Sequence, residues 1–189
     1  MYRICKTEES AARQRKLEQC LLDTMLQKPY AEISIGELAA QAGISRIAFY
    51  RYFNSKDGCL CAMLDHTMTD FPQFEVPEEY SQCECGQHFV QLCAYWLHLK
   101  PLLNVLHENG LMRWLLDRNI DHVNREATDR IPHTPDSRFR EDIVAFTAGG
   151  ILIMLYHWYL RGFDRTVPEM ARLLEHLMNV QLSADFSKI

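Results

Sequence analysis

At 189 residues, with 48 % hydrophobic and 24 % charged side chains, the chain has the composition of an ordinary globular protein and can bury one sizeable core or two smaller ones. It carries no low-complexity tract that would suggest disorder. A net charge of −5 argues against indiscriminate nucleic-acid binding, but the charge is uneven. Residues 1–57 hold nine Lys/Arg against seven Asp/Glu, and the remainder eleven against eighteen. A weakly basic head therefore precedes an acidic body, unless so small an excess is chance. Seven cysteines, an odd number, follow an N-terminus too polar for a secretory segment, which predicts reduced thiols and a cytoplasmic location.

Period 3.6 dominates the chain and no alternating run predicts a strand, so the expected fold is all-α. Thr7, Glu8 and Glu9 open a first helix whose Leu17, Cys20, Leu21, Thr24 and Met25 share one face, and Pro29 ends it. Ser34 to Glu37, "SIGE", has the form of a capping box and starts a short helix through Leu38, Ala39 and Ala42. Gly36 is a weak spot there, since glycine costs ~1 kcal/mol relative to alanine inside a helix. Gly43 suits a left-handed helix end, and Ser45 can cap the next helix two residues later. Ser55 caps a fourth, running from Lys56 to Asp70. The stretch "DFPQFEVPEEYSQ" that begins at Asp70 contains Pro72 and Pro77 and is a natural junction.

Further helices are expected at 86–100, 101–123, 138–161 and 168–182, with breaks at Pro101 or at Asn109-Gly110. Arg125 to Ser137, with two prolines, reads as a loop, and "TVPE" from Thr166 to Glu169 as a second capping box. Ile143 to Leu160 carries no charge and approaches the length of a membrane span. Thr147, His157 and Gly149-Gly150 interrupt it and it stands alone, so a helix buried between other helices is the expectation, with no membrane partner.

Two short helices meeting at a glycine turn after a longer one describe a helix-turn-helix unit. The residues alone leave open a plain helical corner with solvated arginines. "ISIGELAAQAGISRIAFYRYFNSKDGCL", Ile33 to Leu60, closely resembles the DNA-binding signature of the TetR family of transcriptional regulators. The capped helix, the Ala-Gly-Ile-Ser turn, the Phe-Tyr-x-Tyr-Phe run and the polar-Lys-x-x-Leu start of helix four occur in that family's order. "GGILIMLYHWYLRGFDRTVPEMARLLEHL", Gly149 to Leu177, resembles more weakly the last two helices of a TetR-family subgroup.

The resemblance implies a three-helix DNA-binding head over residues 1–54 and a helical-bundle regulatory and dimerisation domain over 55–189, with the last two long helices forming a homodimer interface. It implies a regulator that grips near-palindromic double-stranded DNA in successive major grooves about 34 Å apart. Helical spacing puts Phe49 and Phe53 on one inner seam. By resemblance Arg46 reads a base, most simply guanine, and Ile47 and Ala48 meet thymine methyls. Tyr50, Tyr52 and Lys56 grip phosphates, Ser34 and Ser45 present helix N-termini, and Arg51 joins either group. The family also implies a small effector bound in the body and a repressor that it releases; an activator or co-regulator controlled by a protein partner is the alternative. Trp96, His98, His107, Met112, Trp114, Tyr156 and His157 are the candidate ligand residues, with plain core as the competing reading.

Cys59 and Cys61 sit two apart in a helix and cannot share an ion. Cys83, Cys85 and His88 can supply three ligands if the cysteines are extended, or are loop thiols beside a core Cys93. Neither a metal nor an organic cofactor is expected, and no catalytic signature such as G-x-S-x-G or H-E-x-x-H occurs, so the protein is not read as an enzyme.

Overall fold

The computed structural model describes residues 2, 5, 7–126 and 137–182. Most of the loop expected between Arg125 and Ser137 therefore lies outside the described residues. Those described form α1 (Glu8–Met25), α2 (Ile35–Ala42), α3 (Arg46–Phe49), α4 (Lys56–Asp70), α5 (Gln87–His98), α6 (Lys100–Glu108), α7 (Met112–Glu126), α8 (Ser137–Leu160) and α9 (Val167–Leu182). Strand pairing among them is confined to one antiparallel bridge, Tyr2 with Phe53.

The starts and stops follow local chemistry. Thr7 Oγ1 accepts from the Ser10 amide at 3.2 Å, beneath two glutamates that suit the positive end of α1. In the capping box of α2, Ser34 Oγ accepts from the Glu37 amide at 3.2 Å and Glu37 Oε2 accepts from the Ser34 amide at 3.3 Å. Gly43 then turns left-handed at φ 74°, letting the Ile44 amide donate to the Ala39 carbonyl at 2.9 Å. A Cβ built on Gly36 meets only Ser34 Oγ, at 3.9 Å, so alanine fits. Gly36→Ala is expected to stabilise the protein by about 0.5–1 kcal/mol, read as a higher midpoint in urea unfolding.

The interruption expected at Pro101 or Asn109-Gly110 occurs at both places. α5 ends at His98, and Gly110 at φ 67° separates α6 from α7. The second capping box is also formed, with Thr166 and Glu169 exchanging hydrogen bonds ahead of α9.

The chain divides into two compact units, residues 1–69 with 102–119, and residues 70–101 with 120–189. α4 belongs to the first unit, and the first cut comes at the proline-broken junction that begins at Asp70. The reason is packing: α4 supplies Cys59, Leu60 and Leu64 to the same core as Leu17, Leu21, Leu38, Phe49 and Phe53, all almost fully buried. α6 and the first half of α7 add Leu103, Leu106 and Leu115 to that unit. Polar ties lock it further. Asn109 Oδ1 accepts from the Tyr30 amide at 2.6 Å, and Arg118 Nη1 pairs with Asp65 at 3.2 Å.

In the second unit α5 packs on α9 and α8. Val90, Cys93, Leu155, Trp158, Ala171 and Leu174 fill the core, and Trp158 Nε1 donates to the Arg165 carbonyl at 3.0 Å. The junction itself is fastened to α5: Gln91 Nε2 donates to the Phe71 and Phe74 carbonyls, and Phe71 and Phe74 lie 5.5 and 5.0 Å from the Tyr95 ring.

Candidate nucleic-acid interface

Ser45 begins the candidate face by accepting from the Ala48 amide at 3.1 Å, which fixes the first turn of α3. Regular α geometry covers Arg46–Phe49, after which the amides of Arg51 and Tyr52 bond three residues back, to Ala48 and Phe49. The Phe53 amide still reaches the Phe49 carbonyl at 3.1 Å, so both phenylalanines enter the core as the chain turns toward the Ser55 cap of α4. Their rings meet at 5.3 Å and both are fully buried.

What remains outside is selective. Ser45, Arg46, Ile47, Tyr50 and Arg51 are exposed, and Ala48 and Tyr52 are half-buried. Ile47 is 78 % exposed, so the core gives no reason for an aliphatic side chain there. Tyr50 stands edge-on to Phe49 at 5.9 Å and Tyr52 tilts on Phe53 at 6.4 Å, so the phenols rest on the two buried rings. Between Gly43 and Lys56 there is no acidic side chain to oppose a phosphate.

Two expected contacts have other employment. Lys56 Nζ donates to the Tyr30, Ala31 and Ile33 carbonyls and lies 4.2 Å from the Tyr30 ring centre. All three ammonium donors are engaged, and burial holds its pKa below the usual lysine range. Lys56 therefore clamps the head from within. At the start of α2, Ser34 spends its amide and hydroxyl on the capping box, and Lys28 pairs with Glu37 at 2.5 Å. Sequence reasoning missed Tyr30, whose hydroxyl donates to Asp57 at 2.6 Å while its carbonyl and ring hold Lys56. Its partners lie 26 and 27 residues away and leave no local pattern.

Residues 22–63 match the family described as "Bacterial regulatory proteins, tetR family". That span runs from the end of α1 into α4 and takes in the whole candidate face. Over this matched stretch the head is similar to the helix-turn-helix DNA-binding region of TetR-family regulators. Over 47 residues it is 51 % identical to the HTH-type transcriptional regulator EthR of Mycolicibacterium smegmatis, and over 41 residues 49 % identical to EthR of Mycobacterium tuberculosis. These stretches are 25 % and 22 % of this chain and 20 % and 19 % of the relatives, so the chain matches about a fifth of the length of those regulators. In fold it is similar to a TetR-family regulator from Streptomyces coelicolor, with a TM-score of 0.54 at 24 % identity over 96 % of this chain and 85 % of that one. It is also similar to the dihydroxyacetone kinase operon activator DhaS, with a TM-score of 0.59 at 15 % identity over 89 % and 95 %.

The seven candidate effector residues do not fall within one unit. Trp96, His98, Tyr156 and His157 belong to the second, and His107, Met112 and Trp114 to the first. His98, His107 and His157 are exposed, and His98 stacks on Tyr95 and tilts against Phe74. A pocket of about 320 Å³ lies in the second unit, lined by Ile153, Met154, His157, Arg161 and Met170, so it holds one of the seven. Trp96 is 3 % exposed, and its indole Nε1 has no acceptor among the described residues.

Along α8, Phe146, Ile153 and Leu160 are 69, 48 and 47 % exposed and recur every seventh residue, with Leu177 of α9 38 % exposed. Residues 142–160 are long and apolar enough for a membrane span by length and composition.

Proposed function

We propose that this chain is a TetR-family regulator that binds a near-palindromic operator as a homodimer, each head entering a major groove with the capped turn from Ser45 to Tyr52. The observation that carries this is the exposed, acid-free turn bearing Arg46 and Ile47 above the buried Phe49/Phe53 pair. Arg46 reads a base edge, Ile47 and Ala48 meet thymine methyls, and Tyr50, Tyr52 and Arg51 hold phosphates. Ser45 turns the α3 amides toward the backbone, and Ser34 keeps α2 in register through its cap.

The α8 stripe supports pairing of two copies. A seven-residue apolar repeat left in water is a helix–helix seam without its partner. Gly149 and Gly150 lie on the same helix, and an added Cβ at either meets nothing within 4 Å of this chain. Two helix-weakening glycines with no steric need inside the protomer suit close approach of a second helix. A second copy covers this face better than lipid does, because a stripe occupies one side of a helix and a bilayer requires all of them.

In this reading the protein is a repressor that a small effector releases, and the effector accepts from Trp96 Nε1. A buried N–H left unmade costs about 1–3 kcal/mol, so a bound acceptor there shifts the population toward the state that holds it. Trp96→Phe is expected to keep operator affinity while weakening release by an inducer, compared by titrating inducer against preformed complex.

The central test is footprinting on the operator across salt concentrations. Arg46→Ala should relax preference at one position per half-site by about 10- to 100-fold, whereas Tyr50→Phe weakens binding on all sequences alike. If neither variant alters the footprint, the face is assigned wrongly.

A further inference from the structure

The second unit holds a pair of thiols that DNA recognition does not use. Cys83 and Cys85 flank Glu84 just before α5, and their sulfur atoms lie 2.7 Å apart. That is well inside an ordinary sulfur–sulfur contact and roughly 0.7 Å beyond a disulfide bond. Hydrogen bonds from the backbone hold the segment on both sides of the pair. The Cys83 amide donates to the Tyr80 carbonyl at 3.2 Å, closing the preceding turn, and the Gly86 amide donates to Glu175 Oε1 of α9 at 3.0 Å. A Cβ at Gly86 would sit 3.0 Å from that same carboxylate oxygen, so a larger residue there would have to displace the Glu175 side chain.

The two thiols are also chemically unequal. Cys83 is half-exposed and its pKa is lowered, first by the hydrogen bond from the Cys85 thiol, then by the Cys85 amide, with Arg172 adding positive charge. Cys85 is buried, and burial first and the Cys83 sulfur second push its pKa up to about 11. One sulfur is thus accessible and held toward thiolate, while its neighbour is shielded and kept protonated. The chain's other pair at this spacing lacks the arrangement: Cys59 is buried inside α4, where burial raises its pKa, and Cys61 is half-exposed on another side of the helix. His88 does not complete a ligand set with the thiols. Its ring packs 5.7 Å from Phe71 and 5.9 Å from Phe89, and among the described residues no three His, Cys, Asp or Glu side chains are grouped to hold a metal ion.

We propose that Cys83 and Cys85 form a reversible dithiol–disulfide site that reacts with hydroperoxides, Cys83 attacking and Cys85 resolving. The Cys83 thiolate attacks the terminal peroxide oxygen; the O–O bond breaks, a sulfenic acid forms on Cys83, and the departing alkoxide takes a proton from water. Cys85 sulfur then attacks the sulfenic sulfur, the S–O bond breaks, and water leaves with the Cys85 proton as the S–S bond forms. Two thiols are oxidised and one hydroperoxide is reduced to alcohol and water. Another dithiol returns the site to its starting state by exchange. Oxidation removes a titratable thiol beside Arg172 of α9, so it alters the electrostatics between the start of α5 and α9.

The test uses reduced full-length protein exposed to hydrogen peroxide, quenched with N-ethylmaleimide and analysed as peptides by mass spectrometry. Cys83 and Cys85 should lose alkylation together, about tenfold faster than Cys61, with the two-hydrogen mass loss of an intramolecular disulfide that dithiothreitol reverses. Cys85→Ser should instead accumulate a sulfenic acid on Cys83 that dimedone traps, and Cys83→Ser should leave Cys85 alkylatable. The wild-type measurement needs neither variant to fold. The proposal is overturned if Cys5 or Cys61 oxidises before the pair, if the disulfide joins two chains, or if both thiols stay alkylatable in peroxide that oxidises free glutathione.

Discussion

Phe49→Ala is expected to abolish operator binding by melting the head, although Phe49 touches no DNA in the proposed complex. Phe49 is completely buried, meets Phe53 at 5.3 Å and supports Tyr50 from below. Truncating a buried phenylalanine costs about 3–5 kcal/mol, combining lost transfer free energy with a cavity that a packed core refills poorly. A domain is held by only about 5–15 kcal/mol in all, so this one change consumes much of the margin. α3 is one short turn that takes its orientation from this ring, and it cannot keep its place without it. Circular dichroism in urea should show the unfolding midpoint falling sharply. Ile47→Ala provides the contrast: at 78 % exposure it should move stability by no more than about 0.5 kcal/mol while weakening contact with thymine methyls. If Phe49→Ala retains both stability and binding, α3 is not seated on that core.

The elements that could be read from sequence are those written in neighbouring residues. The Ser34–Glu37 and Thr166–Glu169 boxes, the Gly43 stop and the Ser45 cap each need three or four positions, and each forms as expected. The Phe49/Phe53 seam was legible too, because a spacing of four survives the tightening after Phe49. That tightening was not, since it follows from steering Phe53 inward while the chain reverses toward α4. Lys56 shows the limit most clearly. Its sequence context beside the motif suggests a phosphate contact, but three carbonyls from residues 30–33 surround its ammonium, and only folding brings them there. The compact units also depend on distant parts: α6 and half of α7 join the head through Leu103, Leu106 and Leu115. Aromatic content alone does not separate a ring that lines a ligand site from one that packs the core. The orphaned N–H of Trp96 is visible only once its neighbours are in place.

The second large effect is expected at Ile153. Phe146, Ile153 and Leu160 recur at intervals that keep one side of a helix facing a partner, and in a two-fold interface every residue of the stripe acts twice. Ile153→Glu therefore places two carboxylates in the same seam, near one another and without a cation supplied by the stripe. Burying an unpaired charge costs several kcal/mol, and even about 4 kcal/mol in total raises a dissociation constant roughly a thousandfold. Sedimentation velocity at micromolar protein should show a dimer in the wild type and a monomer in the variant. Operator affinity should fall with it, because a monomer holds a single half-site and loses the effective concentration that links the two heads. Ile120→Glu controls for added charge, since Ile120 is 40 % exposed on α7 and is not part of the α8 stripe, and should leave the mass unchanged. A variant that unfolds is told apart by its circular dichroism, because Ile153 is half in solvent within the protomer and the substitution should spare helicity. Should Ile153→Glu remain dimeric at wild-type concentrations, the α8 seam is not where two copies meet, and the exposed stripe must be covered by something else.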